Sequence, residues 1–231
     1  MSKFIKEGKT PFTDGRDSQG KKWEDYDTIV CPDGEVIDMA NLLQDQQRAM
    51  AALSHLIPAL GGFVSKLRPI YTFQVDTQAT DGYNLFVNPQ FTAHLDLTGK
   101  TFVLAHEIMH CLLNHLRRAE ELGHPMWKAN IAADYECNIT LVDNFELVKF
   151  DTVKKLNALI DKKYSGWGYE KIYADNPSGS SQNSMDNSKQ ASQAGGQGGG
   201  QGGSQNQNLD PDYIKGWEQA VADYEAGKIK I

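Results

Sequence analysis

Residues 104–113 read LAHEIMHCLL, an HExxH motif inside an otherwise apolar stretch. The repeat of about 3.6 residues in an α-helix places His106 and His110 about 40° apart, so both imidazoles project from one helical face. The surrounding apolar residues predict that the helix is largely buried. Asp96 or Thr98 can cap its N-terminus, and we expect the helical region to continue as far as the turn at Gly123.

The spacing of the two histidines suits a shared cation, because two imidazole nitrogens on one face can bind a single zinc ion. Glu107 can reach a metal-activated water, take its proton as general base and hand that proton to the leaving amine. The alternative is that His106 and His110 are partly buried helix residues held by hydrogen bonds. Glu107 argues against this alternative, because it is the only charged group in residues 104–113 and is costly to bury without a partner.

A catalytic zinc site needs a third protein ligand and one open position. Asp134 is the predicted third ligand, because it lies on the next predicted helix and follows two small alanines that permit close packing. Asn138 is four residues further along the same helical face. It can therefore orient a ligand histidine or the Asp134 carboxylate through a hydrogen bond. The alternative for Asp134 is an ion pair with Arg117 or Arg118.

The remaining histidines and cysteines near the motif are less suitable ligands. On a continuous helix His115 lies roughly 140° from His110, and no glycine follows His110 to turn the chain. We therefore expect His115 to be structural and to face away from the metal. Cys111 points about 100° away from His110, and we expect both Cys111 and Cys137 to be small buried residues rather than ligands.

Outside the motif the sequence predicts a mostly helical α+β fold with a small sheet. Residues 28–31 and 35–37 flank a Pro-Asp-Gly turn and predict a hairpin. Residues 70–75 and 83–87 are rich in β-branched and aromatic side chains, which indicates adjacent strands with an Asp-Gly turn between them. Further helical segments are predicted at residues 39–57, 126–142, 152–162 and 169–173.

The chain divides into four predicted segments. Residues 1–25 are a polar, irregular N-terminal arm, and residues 26–176 form the main domain. Residues 177–208 hold 8 of the 21 glycines and only three apolar residues, so they are expected to be a disordered Gly/Gln/Ser linker. Residues 209–231 can form one amphipathic helix.

Composition excludes several classes of function. The chain has 23 Lys and Arg against 30 Asp and Glu, a net charge of −7, which argues against nucleic-acid binding. No apolar run approaches the roughly 20 residues of a membrane span, and the N-terminus has no apolar segment of a secretory signal. Three cysteines without a CxxC spacing fit reduced thiols. We therefore expect a cytoplasmic protein without membrane contact.

Three sequence blocks resemble a known family. Residues 78–91 (QATDGYNLFVNPQF), residues 104–110 (LAHEIMH) with His115 and Arg117, and residues 132–138 (AADYECN) are similar to the putative metallopeptidase domain of bacteria and phages. The likeness covers about residues 38–231, with later blocks at residues 165–173 and 217–228.

The resemblance implies a zincin-like α+β fold with a small sheet beside the HExxH helix. It also implies that His106, His110 and Asp134 bind zinc and that Glu107 is the base. In that family the domain usually precedes a von Willebrand factor A-like domain, and this chain stops where such a domain would begin. The expected partners are therefore a peptide or protein substrate and a separately encoded von Willebrand factor A-like or other protein.

The expected function is that of a zinc-dependent metallopeptidase, in the host cytoplasm if the protein is phage-encoded. One of the strands at residues 70–75 or 83–87 can pair with an extended peptide substrate. Tyr135 and His124 are weak candidates for an oxyanion donor. The alternative function is a metal-stabilised, non-catalytic adaptor that docks a partner through the tethered C-terminal helix.

Overall fold

A computed structural model describes residues 15–17, 19–80, 82–145 and 147–175, with the side chains of residues 150–152 excepted. This part of the chain has the mostly helical α+β fold that the sequence predicts. The predicted linker at residues 177–208 and the predicted helix at residues 209–231 lie outside the described residues. The helices are α1 Met39–Leu56, α2 Gly61–Val64, α3 Pro89–Ala93, α4 Leu97–Leu112, α5 His115–Glu121, α6 Met126–Phe145, α7 Phe150–Lys155 and α8 Tyr169–Asp175. The strands are β1 Thr28–Val30, β2 Val36–Asp38, β3 Arg68–Tyr71, β4 Gln78–Thr80 and β5 Asn84–Val87.

The N-terminal part of the described chain is the predicted hairpin followed by α1. Strands β1 and β2 pair antiparallel, and Gly34 in the turn has a φ of +94° that suits glycine. Asp38 ends the hairpin and caps α1, because its side chain accepts a hydrogen bond from the backbone N–H of Asn41. One face of α1 is buried against α4, which places the HExxH helix inside the core.

The second sheet has the strand order β3-β5-β4, with β3 parallel to β5 and β4 antiparallel to β5. The predicted segments 70–75 and 83–87 correspond to β3 and β5, and their predicted adjacency is confirmed. The turn containing Gly82 does not join these two strands, however, but joins β4 to β5. Strand β4 is not predictable from the sequence, because Gln78–Thr80 is short and lacks a run of β-branched or aromatic residues. The chain returns along β4 before β5 begins, so β3 and β5 run in the same direction.

Helix α4 begins as predicted, since the Asp96 side chain accepts a hydrogen bond of 2.7 Å from the N–H of Gly99. It ends at Leu112, and Asn114 adopts the left-handed conformation with a φ of +54° before α5 starts. The predicted continuous helix up to Gly123 is therefore wrong at this point. Asparagine tolerates this conformation better than most residues other than glycine, which makes the break possible.

Helix α6 packs against both α4 and α8. Ala132 and Ala133 of α6 are buried in one cluster with Tyr169 and Ile172 of α8, whereas Cys137 and Leu141 of α6 belong to the core cluster that contains α4. Strand β4 also contacts α4, so the second sheet lies beside the HExxH helix. In the described part of the chain, each helix is too short or too polar to cross a membrane.

Candidate metal centre

Three polar atoms from α4 and α6 form a small triangle. The Nε2 atoms of His106 and His110 are 2.9 Å apart. Oδ1 of Asp134 lies 3.6 Å from Nε2 of His106 and 3.3 Å from Nε2 of His110. Ligand atoms that bind one zinc ion tetrahedrally at about 2.0–2.1 Å are separated by about 3.3 Å. The triangle therefore has the size that a single metal ion requires.

The triangle is buried, and its carboxylate lacks ordinary partners. His106 and Asp134 are 0% exposed, whereas the His110 side chain is 12% exposed. Within the described residues, neither oxygen of Asp134 has a hydrogen-bond partner, although Oδ1 faces both imidazoles. Because an unsatisfied buried carboxylate is costly, these atoms fit a bound cation.

Protonation at the triangle favours cation binding. Burial opposes ionisation of Asp134, but the two imidazoles outweigh that effect and lower its pKa to about 2. Burial and the neighbouring His106 lower the pKa of His110, against the opposing effect of Asp134. The site therefore contains an ionised carboxylate and a neutral imidazole, which are the forms that bind metal.

Asn138 contacts the other side of the His106 ring. Its Oδ1 lies 2.8 Å from Nδ1 of His106, while its Nδ2 donates a hydrogen bond of 2.9 Å to the backbone carbonyl of Leu159. The donor to Leu159 must be the amide N–H, so Oδ1 is the acceptor and Nδ1 of His106 is protonated. A neutral His106 then directs the lone pair of Nε2 at the triangle.

Glu107 follows His106 on the same helix and is only 1% exposed. Burial and then nearby carboxylates, Glu107 among them, raise the pKa of the Cys137 thiol on α6. The predicted role of Glu107 as general base stays a prediction.

The alternative of an arginine partner for Asp134 is wrong. Arg117 pairs with Glu121, whereas Arg118 pairs with Glu136 and Glu170. The contacts of Asp134 with charged or titratable groups are instead those with the two histidines of α4.

Comparison with known families gives one match to this chain. A family model described as "Putative metallopeptidase domain" matches residues 42–228, most of the chain. The chain belongs to this family. Membership implies a metal ion and a peptide or protein substrate. Comparisons with curated proteins and with solved structures found no match.

His115 of this metallopeptidase domain occupies an unexpected place. Its Nδ1 lies 3.1 Å from Nδ1 of His110, on the side of that ring opposite the triangle. The prediction that His115 is structural and faces away from the metal assumed a continuous helix, and it did not foresee the contact of His115 with His110. The left-handed Asn114 turns the chain, and an asparagine between two helical segments is the signal that sequence reasoning overlooked.

Cys137 is a second candidate ligand that sequence reasoning set aside. Ligand atoms of His106, His110 and Cys137 all lie within 4.8 Å of one another. Burial, followed by nearby carboxylates that include Glu136 and Asp134, raises the pKa of the Cys137 thiol well above its ordinary value. The thiol is a poorer ligand than a thiolate, so Asp134 is the better third ligand on chemical grounds.

Two further sequence expectations meet a different geometry. Strand β5, at the predicted 83–87 segment, is central and paired on both sides, so it cannot also pair with a substrate. His124 lies at α8, where its Nδ1 is 2.8 Å from the Tyr169 hydroxyl and its ring stacks on Tyr173. Tyr135, the other proposed oxyanion donor, packs its ring against Tyr164.

Proposed function

We propose that the chain is a zinc-dependent metallopeptidase in which His106, His110 and Asp134 bind zinc and Glu107 is the general base. The observation that carries the proposal is the buried triangle of two imidazole nitrogens and one carboxylate oxygen, with sides of 2.9, 3.3 and 3.6 Å. Bound zinc supplies Lewis acidity that polarises the scissile carbonyl and acidifies water.

Glu107 handles the proton in this proposal. Its carboxylate takes a proton from the attacking water as the new C–O bond forms. It then delivers the proton to the amine nitrogen as the C–N bond breaks. The burial of Glu107 supports this role, because a carboxylate shielded from bulk water is a stronger proton acceptor.

Asn138 holds His106 in the required tautomer. Without its Oδ1 acceptor, the His106 ring could rotate or place its proton on Nε2. The contact that Asn138 makes with Leu159 fixes the amide in turn. In this proposal Asn138 positions a metal ligand and does not touch the metal.

Zinc is the proposed metal because of the HExxH pattern around the histidines. Two imidazoles and a carboxylate also suit iron(II), so metal analysis of purified protein is needed to identify the ion. The cytoplasm as the location of the protein and a von Willebrand factor A-like protein as its partner both stay predictions from the sequence.

Strand β4 is the proposed docking edge for an extended peptide. It packs against α4, and its outer edge has no neighbouring strand within the described residues. A peptide that adds to this edge gains main-chain hydrogen bonds beside the HExxH helix. The predicted strand at residues 70–75 corresponds to β3, at the opposite edge of the sheet, and its pairing with a substrate stays a prediction. We favour β4 because it contacts the HExxH helix.

Exchange of Glu107 for Gln tests the proposed chemistry. We expect Glu107→Gln to keep its fold and zinc content but to lose about 10²–10⁴-fold in hydrolysis of a fluorogenic casein substrate. Glu120→Gln, an exposed acid on α5, is the matched control and is expected to behave as the parent. Equal turnover by Glu107→Gln and the parent would refute the role of Glu107. Stoichiometric zinc in a parent that hydrolyses no peptide in a broad library would favour the adaptor alternative.

A further inference from the structure

The His110 imidazole contacts the imidazole of His115, which in turn contacts the carboxylate of Glu136. Nδ1 of His115 is 3.1 Å from Nδ1 of His110, and Nε2 of His115 is 2.7 Å from Oε2 of Glu136. His115 and Glu136 are 4% and 8% exposed, so water does not screen these contacts. The proposed role of Glu107 and the contacts of Asn138 do not involve this chain of contacts.

With both rings neutral, the contacts of His115 with Glu136 and with His110 allow one placement of the protons. The Glu136 carboxylate can only accept, so Nε2 of His115 donates to it. The lone pair of a neutral His115 is then on Nδ1 and accepts a hydrogen bond from Nδ1–H of His110. Nε2 of His110 is left with a lone pair that points at the triangle. The opposite placement would direct a proton from His110 into the space for the cation.

We infer that His115 is a positioning residue of the metal centre, which acts through His110 and takes its own orientation from Glu136. This inference rests on the proposed function, since the tautomer of His110 matters only if Nε2 binds a cation.

Arg118 anchors the acidic end of this chain of contacts. Its guanidinium donates to Oε2 of Glu136 at 3.3 Å and to the Leu113 carbonyl at 3.0 Å. Two further hydrogen bonds, of 2.9 and 2.7 Å, join it to Glu170 on α8. The end of α4, the start of α5, and helices α6 and α8 therefore hold Glu136 in place together.

The first test measures the Zn²⁺ dissociation constant by competition with a chromophoric chelator. We expect His115→Leu to weaken zinc binding by about 10–100-fold, the usual effect of losing a group that orients a ligand. His115→Gln can accept from His110 and donate to Glu136, so it is expected to restore most of the affinity. His124→Leu is the matched control, because His124 contacts Tyr169 of α8, as His115 does, but is not part of the contacts to His110. This variant is expected to bind zinc as the parent does.

The second test detects the tautomer directly. Two-bond ¹H–¹⁵N correlation spectra of the metal-free parent are expected to show His110 protonated at Nδ1. Glu136→Gln can donate to His115, which is expected to shift the proton of His110 towards Nε2 and to weaken zinc binding. If His115→Leu does not fold, the zinc affinities of Glu136→Gln and His115→Gln test the role of His115.

The outcomes separate the two ideas. If His115→Leu and Glu136→Gln bind zinc as tightly as the parent does, the role of His115 is overturned, but the metal site is not. His110 protonated at Nε2 in the metal-free parent would also overturn it. A parent that binds no metal would overturn the proposed function and this inference together.

Discussion

In the described part of the chain, two groups of side chains have the spacing of metal ligands but differ in how their polar atoms are satisfied. The surface group, formed by Cys31, Asp33 and Glu35 at the β1–β2 turn, brings its ligand atoms within 4.8 Å of one another, as His106, His110 and Cys137 do. Asp134 lies against the two histidines and completes the buried group. Gln90 donates to both carboxylates of the surface group at 2.6 and 3.1 Å. The buried Asp134 has no hydrogen bond from a described residue. Close spacing alone therefore does not distinguish the two groups, whereas the hydrogen bonds to their carboxylates do.

The two groups owe this difference to the elements that build them. The surface group lies on a turn, where Asp33 is exposed and water can solvate its charge. The buried group lies between two long helices, α4 and α6, and its His106 and Asp134 side chains are fully buried. Burial makes an uncompensated charge on Asp134 costly, so a bound cation stabilises this group more than it stabilises the surface group.

Loss of Asn138 is expected to have the largest effect of the three changes that probe this comparison. Asn138→Leu removes the acceptor for His106 and leaves the Leu159 carbonyl without its donor. We expect zinc affinity to fall by about 10–100-fold and the free energy of unfolding to fall by about 1–3 kcal/mol. Chelator competition and urea denaturation measure the two quantities.

The matched control is Asn144→Ala on the exposed face of the same helix, where Nδ2 donates to the Thr140 carbonyl. Its zinc affinity is expected to equal that of the parent, and its stability to change by less than about 0.5 kcal/mol. Equal zinc affinity for Asn138→Leu and Asn144→Ala would show that Asn138 does not orient His106.

Cys137→Ala tests which side chain completes the metal-binding set. If Asp134 is the third ligand, this variant keeps its zinc, and its stability falls by only about 1 kcal/mol through the loss of a buried sulfur. Inductively coupled plasma mass spectrometry gives the zinc content. Loss of zinc from Cys137→Ala, with zinc retained by a Cys111→Ala control, would assign the third position to the thiol.

The smallest effect is expected at the surface group. Hydrogen bonds from the backbone of Glu35 and from Gln90 lower the pKa of Asp33 below its ordinary value of 3.8. Any stability from this ionised carboxylate is present above pH 3.8 and is lost as the pH falls through the lowered pKa. Gln90→Ala is expected to raise the pKa of Asp33 towards 3.8 without a change in zinc content. Carboxyl ¹³C NMR titration measures the shift, and an unchanged pKa would contradict the assigned contact.

Helical periodicity made much of the buried group predictable. The i, i+4 spacing fixes the angle between His106 and His110, and the same rule relates Asp134 to Asn138. The structure brings all four side chains together, with Asn138 on the far side of a ligand histidine. The hairpin and the start of α4 were also predictable, because a Pro-Asp-Gly turn and the Asp96 cap are local signals.

The rest depends on choices that local patterns leave open. Asn114 can continue a helix or break it, and its left-handed conformation decides where His115 lies. The residues of β4 have no strong strand propensity, and this segment is stabilised as a strand by its pairing with β5. The proximity of Cys137 to both histidines depends on how α6 is rotated against α4, which the spacing within one helix does not fix.

Zinc content of the purified chain tests the central claim most directly, with His106→Ala and Asp134→Ala measured beside the parent and Glu35→Gln as the surface control. We predict about one zinc per chain in the parent and in Glu35→Gln, and loss of that zinc in both other variants. A parent without stoichiometric metal, or an Asp134→Ala variant that retains it, would contradict the account.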